Sequence, residues 1–330
     1  MQKINLGVIG TGHLGKFHVK LAAEIDNINL VGAYDINQEQ ANAICQECHT
    51  EAYSDLDALL EKVDAVSIVV PTSEHFNVAM KALDHDCHIF IEKPITSTVE
   101  EAAGIIDKAR EKQKKIQVGH IERFNPAMLS VKDYQISPMF IEAHRLSQFN
   151  PRGCDVSVVL DLMIHDLDLI LYMVKSPVKH IDACGVSVVS EAEDIANVRI
   201  KFDSGCVANL TSSRISLKPM RRMRLFQKNQ YVAMDFLEKK SDIFQLRDAS
   251  IQDMQDKDTF SMVVSKIGVG DMERNVVYEK PEPPQVNSLK MELEEFAKAV
   301  IFDLPPEVPG EQGMQALEVA NTILDKIARP

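Results

Sequence analysis

A short apolar segment near the N-terminus runs directly into the glycine-rich hexapeptide GTGHLG, residues 10–15, which opens a helical pattern. Strand, glycine turn and helix follow in the order that a dinucleotide-binding βαβ unit requires. Gly10 permits the tight turn, Gly12 lets the backbone approach a pyrophosphate, and Gly15 lets the helix pack on the strand. We therefore predict cofactor contacts from the whole loop: Gly10, Thr11, Gly12, His13, Leu14 and Gly15.

The second strand pattern, residues 29–34, ends at an acidic residue, Asp35, twenty positions after Gly15. A carboxylate at this position accepts hydrogen bonds from the ribose hydroxyls of an adenosine. No arginine stands among the next residues, 36–39, so a 2′-phosphate would meet an uncompensated negative charge. The sequence therefore predicts NAD rather than NADP as the cofactor.

Strand and helix patterns continue to alternate up to Gly119, which predicts an α/β fold with a doubly wound parallel sheet, a Rossmann domain. Ligands of such sheets bind outside the carboxyl ends of the strands. At these ends we expect cofactor contacts from Pro71, Thr72, His75, Glu92 and Lys93, and substrate contacts from Lys93, His120, Arg123 and Asn125. Two simpler explanations stay open: a surface ion pair between Lys93 and Glu92, and a helix-capping role for His75.

The segment VVLDLMIHDLDLIL, residues 158–171, predicts a buried helix because apolar residues surround nearly its whole circumference. Asp161, His165 and Asp168 follow i, i+4, i+7 spacing and share one face, whereas Asp166 falls off it. Titratable groups in a core either pair with one another or line a cavity. From this segment alone, a core histidine held by Asp161 and a general base remain equally open readings.

The pattern changes from Phe140 onward to longer alternating strands, at residues 140–148, 178–188, 197–202, 205–213 and 221–236. This predicts a C-terminal α+β domain with a large, mostly antiparallel open sheet. Helices on one face would leave the other face as a surface for a homodimer or homotetramer. We place an NAD-binding Rossmann domain at residues 1–122 and a substrate-binding and oligomerisation domain at residues 123–330.

A cluster of basic residues stands out in the second half: Arg214, Lys218, Arg221, Arg222 and Arg224, with Arg152 in an earlier loop. Arginine suits bidentate phosphate contact. A solvated strand edge with alternating side chains is the simpler explanation. The alternative is a substrate phosphate site, to which we assign Arg152 and Arg221.

The composition limits the classes of partner and location. A chain of 330 residues with 45% hydrophobic residues is long enough for two globular domains. The net charge of −13 argues against a nucleic-acid partner. Because the sequence has neither an export pattern nor a membrane-spanning apolar run, we expect a cytoplasmic protein without membrane contact. The cysteines are scattered, and although residues 45–49 match C-x-x-C-H, we expect neither haem nor any other metal.

The GTGHLG loop, the Glu92-Lys93-Pro94 segment and the Asp-x-x-x-His helix together resemble the Gfo/Idh/MocA oxidoreductases over essentially the whole chain. The resemblance implies that Lys93 and His165 are catalytic. It matches Asp161 to the aspartate four residues before the catalytic histidine, and Asp168 to an acidic position of several members. We therefore expect Asp161, His165 and Asp168 to contact the substrate. Residues 118–127, 142–169 and 208–226 look more narrowly like the branch that contains UDP-N-acetylglucosamine 3-dehydrogenases, which prepare amino sugars for lipid A.

The resemblance implies an NAD-dependent dehydrogenase that oxidises the C3 hydroxyl of a UDP-amino sugar such as UDP-N-acetylglucosamine. His165 would remove the hydroxyl proton, Asp161 would orient the imidazole, and Lys93 would hold the same oxygen. Other readings are a dehydrogenase of a free polyol such as inositol, an enzyme like biliverdin reductase, or a non-catalytic NAD-sensing regulatory protein. The presence of both Lys93 and His165 argues against the regulatory reading.

Overall fold

The computed structural model describes residues 2–150, 156–248, 259–268 and 273–328. The chain forms two compact units. Unit 1 comprises Met1–Ile121 and Val286–Glu318, and unit 2 comprises Glu122–Gln285 and Val319–Pro330. Within the described ranges, no helix combines the length and the apolar content that crossing a bilayer requires.

Unit 1 contains a parallel sheet of six strands: β1 (Ile4–Ile9), β2 (Ile28–Tyr34), β3 (Glu51–Tyr53), β4 (Ala65–Ile68), β5 (His88–Glu92) and β6 (Ile116–Gly119). Their order is β3-β2-β1-β4-β5-β6, and every neighbouring pair is parallel. This is the strand order of dinucleotide-binding doubly wound folds. The predicted Rossmann sheet is therefore confirmed.

The connections between these strands run through helices: α1 (Gly15–Ala23), α2 (Gln38–Glu47), α3 (Leu56–Leu60), α4 (Thr72–Asp84) and α5 (Val99–Glu111). Thr98 and Glu101 form a capping box at the start of α5, each side chain accepting a hydrogen bond from the other's backbone N–H at 3.2 Å. The cap fixes where the chain turns into a helix after β5, and so limits the loop that carries Lys93.

Unit 2 contains an open sheet of nine strands: β7 (Phe140–Leu146), β8 (Val178–Val186), β9 (Ile195–Phe202), β10 (Val207–Ser213), β11 (Met220–Gln227), β12 (Gln230–Asp235), β13 (Lys240–Asp248), β14 (Thr259–Ile267) and β15 (Arg274–Pro281). The order is β14-β15-β13-β12-β11-β7-β10-β9-β8, and only the β7–β10 pair is parallel. The predicted mostly antiparallel sheet is confirmed. The single strand predicted at residues 221–236 is wrong, because Asn229, with φ at 61°, turns the chain between β11 and β12.

One face of this sheet, here called the inner face, packs against α6 (Pro126–Leu129), a π-helical turn (Val159–Met163) and α7 (Ile164–Val174). Residues of β11 alternate between the faces, so Met223 and Leu225 are fully buried on the inner face. The opposite, outer face bears a row of aromatic rings with adjacent centroids 5.0–6.3 Å apart: Phe140, Phe226, Tyr231, Phe244, Tyr278 and Phe260.

The chain ends with α8 (Ser288–Ile301) and α9 (Gly310–Ala328). The apolar face of α8 packs on β1 and β5, and the rings of Phe296 and Phe90 meet edge to face at 5.9 Å. Residues 286–318 therefore belong to unit 1, whereas the sequence placed everything after residue 122 in one second domain. The difference arises because a helix that follows a linker can return to an earlier sheet when its apolar stripe fits there.

Candidate active site

The glycine loop after β1 has the geometry that its sequence predicts. Gly10 has φ of 94°, and a Cβ atom there would lie 2.5 Å from the carbonyl oxygen of Val69. A Cβ atom at Gly15 would collide with the carbonyl of Gly10, at the point where α1 begins. At Gly12, by contrast, no described atom lies within 4 Å of such a Cβ. The space over Gly12 is therefore open to a ligand.

Asp35, directly after β2, is joined to the glycine loop. Its Oδ2 accepts hydrogen bonds from the backbone N–H of Thr11 at 2.5 Å and from the Thr11 hydroxyl at 3.0 Å. Its Oδ1 accepts from the backbone N–H of Asn37 at 2.8 Å. The next residue, Ile36, is 91% exposed, an apolar side chain in solvent beside the carboxylate that we predict to meet a ribose.

These residues fit an NAD molecule. Open space over Gly12 and the N-terminus of α1, whose first turn carries Lys16, suit a pyrophosphate. The carboxylate of Asp35 at the end of β2 suits ribose hydroxyls. His13 and Leu14 are exposed at the turn, whereas Thr11 is buried against Asp35.

The ends of β4 and β5 are linked by His75. Pro71 precedes α4, Thr72 is its first residue, and His75 is buried in its first turn. The imidazole Nε2 lies 3.0 Å from the carbonyl oxygen of Val70, and Nδ1 lies 2.9 Å from that of Pro94. Burial lowers the pKa of His75, although these carbonyl contacts oppose the effect. Through these contacts His75 joins the loop that follows β4 to the loop that follows β5, rather than capping α4.

Lys93 follows the last residue of β5 and is joined to Pro94 by a cis peptide bond. The backbone N–H of Lys93 donates to Glu92 Oε2 at 3.3 Å. The carboxylate of Glu92 also lies against Gly119 at the end of β6, where a Cβ atom would approach it to 2.9 Å. His120, the next residue, is buried, and its backbone N–H donates to the Val118 carbonyl at 2.8 Å.

In unit 2, the helix predicted at residues 158–171 begins with a π-helical turn. Asp161 lies in this turn, and His165 is the second residue of α7. Both are partly exposed, whereas Asp166 and Asp168 are buried. Single π-helical turns within helices occur frequently at functional sites. The predicted stripe therefore divides into an accessible part, Asp161 and His165, and a buried part, Asp168.

Asp168 is held by Arg123. The guanidinium Nε and Nη2 donate to the two carboxylate oxygens at 2.8 Å and 2.6 Å, and the group lies 4.5 Å from the ring centroid of Tyr172. Asn125 caps α6 by accepting from the Ala127 N–H at 3.0 Å. Arg123, Asn125 and Asp168 thus have structural contacts, and their direct contact with a substrate stays a prediction.

A second buried ion cluster was missed from the sequence. Arg145 donates to both oxygens of Asp166, at 3.0 Å and 2.8 Å, and to Glu122 Oε1 at 2.7 Å. Burial alone would lower the pKa of Arg145, but the two carboxylates outweigh it and hold the pKa above its ordinary value. The available signal was the position of Arg145 on β7, where it shares the buried alternate sites of Ile141 and Ala143.

The basic residues that stand close together along the sequence are separated in the structure. Arg221 lies on the inner face, with Nη1 3.6 Å from Glu122 Oε1. Arg222 and Arg224 lie on the outer face, paired with Asp235 at 2.7 Å and with Glu142 at 2.5 Å. This separation agrees with the simpler explanation, a strand with alternating side chains, because neighbouring residues of a strand point to opposite faces.

Arg214, another basic residue of the sequence cluster, does not join Arg221. Arg214 is buried near Asp194, and its Nη2 donates to the carbonyl of Val156, just before the π-helical turn. Arg152 lies outside the described residues. Among the described arginines of the cluster, Arg221 is the one whose partly exposed side chain lies on the inner face.

Comparison with known proteins places this geometry in a family. Residues 4–120 match the oxidoreductase family with an NAD-binding Rossmann fold, and residues 118–229 match the Gfo/Idh/MocA C-terminal domain. The chain is 36% identical to UDP-N-acetylglucosamine 3-dehydrogenase of Acidithiobacillus ferrooxidans, over 97% of this chain and 96% of the relative. It is 29% identical to the NAD-dependent scyllo-inositol 2-dehydrogenase of Bacillus subtilis, over 65% of this chain and 68% of the relative.

A solved structure of the Acidithiobacillus ferrooxidans enzyme is similar to this chain, with a TM-score of 0.87 and 35% sequence identity. The similarity covers 99% of this chain and 98% of the solved one. The predicted family, Rossmann fold and cofactor class are thereby confirmed. The chain belongs to the Gfo/Idh/MocA family and is an NAD-dependent oxidoreductase.

Proposed function

We propose that this enzyme oxidises the C3 hydroxyl of a UDP-amino sugar, UDP-N-acetylglucosamine in the first instance, to the 3-keto sugar. The observation that carries the proposal is the 36% identity to a UDP-N-acetylglucosamine 3-dehydrogenase over 97% of the chain. The inositol dehydrogenases make a free polyol the second candidate substrate, since one of them is similar over 65% of the chain.

The proposed chemistry involves three side chains. His165 removes the proton of the hydroxyl as general base, and Asp161 orients the imidazole and stabilises its protonated form. Lys93 stabilises the negative charge that develops on the same oxygen. Bound NAD would supply the acceptor for the hydride that leaves the sugar carbon. The partial exposure of His165 and Asp161 in the described chain supports these roles, because a base must reach its substrate.

The cofactor is held, in this proposal, by the loop from Gly10 to Gly15, by Asp35 and by the loops that follow β4 and β5. His75 acts within this set as a clamp, because its ring contacts the carbonyls of Val70 and Pro94. Pro71, Thr72 and Glu92 belong to the same two loops.

For the substrate diphosphate we propose Arg221, together with Arg152. The side chain of Arg221 is 45% exposed, and its guanidinium has donors beyond the one that contacts Glu122. His120 is proposed as a contact of the sugar. Arg123, Asn125 and Asp168 are proposed as further contacts of the sugar. The ion pair of Arg123 and Asp168 also holds α7, the helix that carries His165.

We further propose that two copies of the chain associate through the outer face of the sheet. The aromatic row presents apolar surface there, with Phe226 and Phe260 37% and 58% exposed. Beside it lies a concavity of about 610 Å³, lined by His144 and by charges of both signs that suit a self-complementary contact: Arg222, Arg224, Asp235, Lys240 and Asp242. We also propose that the enzyme is cytoplasmic and that its product is used to make amino sugars for lipid A.

The test is a substrate panel with NAD, followed by nicotinamide absorbance: UDP-N-acetylglucosamine, UDP-N-acetylgalactosamine, UDP-glucose, myo-inositol and scyllo-inositol. An aminotransferase and glutamate are added to draw off keto sugar and prevent an unfavourable equilibrium from hiding turnover. The highest kcat/KM is expected with UDP-N-acetylglucosamine. Preference for an inositol would overturn the substrate. NAD binding without any turnover would instead favour a regulatory role.

A further inference from the structure

His18 is a fully buried histidine in α1, three positions after the last glycine of the loop. Its Nδ1 lies 2.9 Å from the hydroxyl of Ser67, which is itself fully buried in β4. The ring also meets Phe90 edge to face at 5.6 Å. If this site only had to be filled, an apolar side chain would suffice, because burying a polar group costs free energy unless the group is paired.

The other ring nitrogen of His18 faces Glu92, the residue before Lys93. Nε2 lies 3.2 Å from Glu92 Oε1, and the two side chains are 0% and 13% exposed. The contact is close, but the two groups are not aligned as a hydrogen bond. Such contacts in ligand-free active sites are often poorly aligned and tighten when the ligand binds.

Glu92 transmits this contact to Lys93. Its Oε2 accepts from the Lys93 backbone N–H at 3.3 Å, and its carboxylate is confined by Gly119, where any Cβ atom would approach it to 2.9 Å. The carboxylate is therefore held between α1, the end of β6 and the peptide of the proposed catalytic lysine. A shift of Glu92 moves the backbone from which the Lys93 side chain extends.

We propose that His18 is a positioning residue for the hydride-transfer site: it holds Glu92, and through Glu92 the main chain of Lys93. The Ser67 hydroxyl donates to Nδ1, so that Nε2 carries the ring proton, and Nε2 donates to the Glu92 carboxylate once ligand binding aligns the two groups. This tautomer follows from the partners of the two nitrogens. The inference rests on the proposed role of Lys93 in the reaction.

Two substitutions separate the contacts of the two ring nitrogens. In His18→Asn the amide lies near the former Nδ1, so the Ser67 contact survives and the Glu92 contact is lost. In His18→Gln the amide reaches toward Glu92 and the Ser67 contact is lost. We expect His18→Asn to lower kcat about ten- to a hundredfold, because small misplacements of catalytic groups have effects of that size. KM for NAD should change little, and His18→Gln should restore most of kcat.

The matched control is His88→Asn, at the opposite end of β5, where the imidazole Nδ1 accepts from the Lys115 N–H at 3.0 Å. This variant should keep the wild-type kcat. Equal losses in His18→Asn and His18→Gln, or wild-type kcat in His18→Asn, would overturn the positioning role.

A second measurement does not depend on turnover or on stable variants of His18. Nitrogen NMR of isotope-labelled histidine in the wild-type enzyme should show His18 protonated at Nε2 and not at Nδ1. The Nε2 resonance should move when NADH binds, and Glu92→Gln should abolish most of that movement. An Nδ1-protonated ring, or a shift that is the same in Glu92→Gln, contradicts the inference. If the substrate panel shows no turnover, the proposed function fails, while this measurement still tests the link between His18 and Glu92.

Discussion

Arg123 and Asp168 form a buried, bidentate ion pair, with donor–acceptor distances of 2.8 Å and 2.6 Å and side chains only 6% and 1% exposed. The arginine belongs to the segment between β6 and α6, and the aspartate lies one helical turn after His165. The pair therefore fixes α7, and with it the orientation of the proposed base, to the start of unit 2.

Removing one member of this pair should destabilise the protein strongly. In Arg123→Met the Asp168 carboxylate stays buried without its partner, which costs about 3–5 kcal/mol. The double variant Arg123→Met/Asp168→Leu should recover much of this loss, because neither charge remains. Urea unfolding measures both values. Arg110→Ala is the control, since its pair with Asp107 is exposed and contributes less than about 1 kcal/mol. Equal effects of Arg123→Met and Arg110→Ala would contradict the structural role.

Asp35 and Ile36 together should decide the choice of cofactor. The carboxylate repels a 2′-phosphate, so Asp35→Ser/Ile36→Arg replaces repulsion by a charge-assisted hydrogen bond of about 1.5–3 kcal/mol, or roughly ten- to a hundredfold in affinity. NADPH should gain affinity by this factor while NADH loses some. Fluorescence titration with both dinucleotides measures the change without any substrate. If the ratio of the affinities for NADH and NADPH does not change, the adenosine does not bind beside Asp35 and Ile36.

The glycine loop and Asp35 could be predicted because both belong to one βαβ unit, in which a known motif sets the spacing between the loop and the acidic residue. The partners of the α7 carboxylates could not be predicted, because no motif relates Arg123 and Arg145 to carboxylates that lie 45 and 21 positions away. Helical spacing placed Asp168 on the same face as His165, but it did not show that the carboxylate of Asp168 is paired with a distant arginine.

His165→Asn should lower kcat by about a hundredfold to ten-thousandfold, the contribution of a well-placed general base. NADH affinity should stay near the wild-type value, since the proposed cofactor contacts come from the strand ends of unit 1. Steady-state kinetics with UDP-N-acetylglucosamine and NADH fluorescence titration check the two parts. Activity within a few-fold of wild type would remove His165 from the proposed mechanism.

The outer face of the sheet should hold two copies together. Tyr231→Glu places a charge in the middle of the aromatic row, between Phe226 at 5.0 Å and Phe244 at 6.0 Å, and should shift the oligomer toward monomer. Sedimentation equilibrium measures the change. Leu304→Asp is the matched control, because Leu304 is 50% exposed but lies in unit 1. A wild-type oligomer in Tyr231→Glu would move the interface to another surface.

Two elements of unit 2 show where strand and helix patterns reach their limits. Residues 221–236 contain no glycine or proline, not even at the turn formed by Lys228 and Asn229. The hairpin of β11 and β12 was therefore predicted as one strand. Likewise no sequence pattern distinguishes the π-helical turn around Asp161 from ordinary α-helix, because both need the same apolar residues against the sheet.

The alternation of β11 makes Arg221 and Arg222 a matched pair for locating the substrate diphosphate. They are neighbours in sequence and both about half exposed, at 45% and 58%, but Arg221 lies on the inner face and Arg222 pairs with Asp235 on the outer face. Arg221→Ala should raise KM for UDP-N-acetylglucosamine about ten- to a hundredfold, the effect of losing a charge-assisted contact. KM for NAD should stay the same.

Arg222→Ala should leave both Michaelis constants near their wild-type values, because its charge points away from α7 and is balanced by Asp235. A myo-inositol arm is informative as well: if a free polyol is turned over, its KM should not respond to Arg221→Ala, since it has no phosphate to contact. If both substitutions change KM for UDP-N-acetylglucosamine equally, Arg221 does not bind the diphosphate. The diphosphate would then be bound by Arg152 or by residues of unit 1.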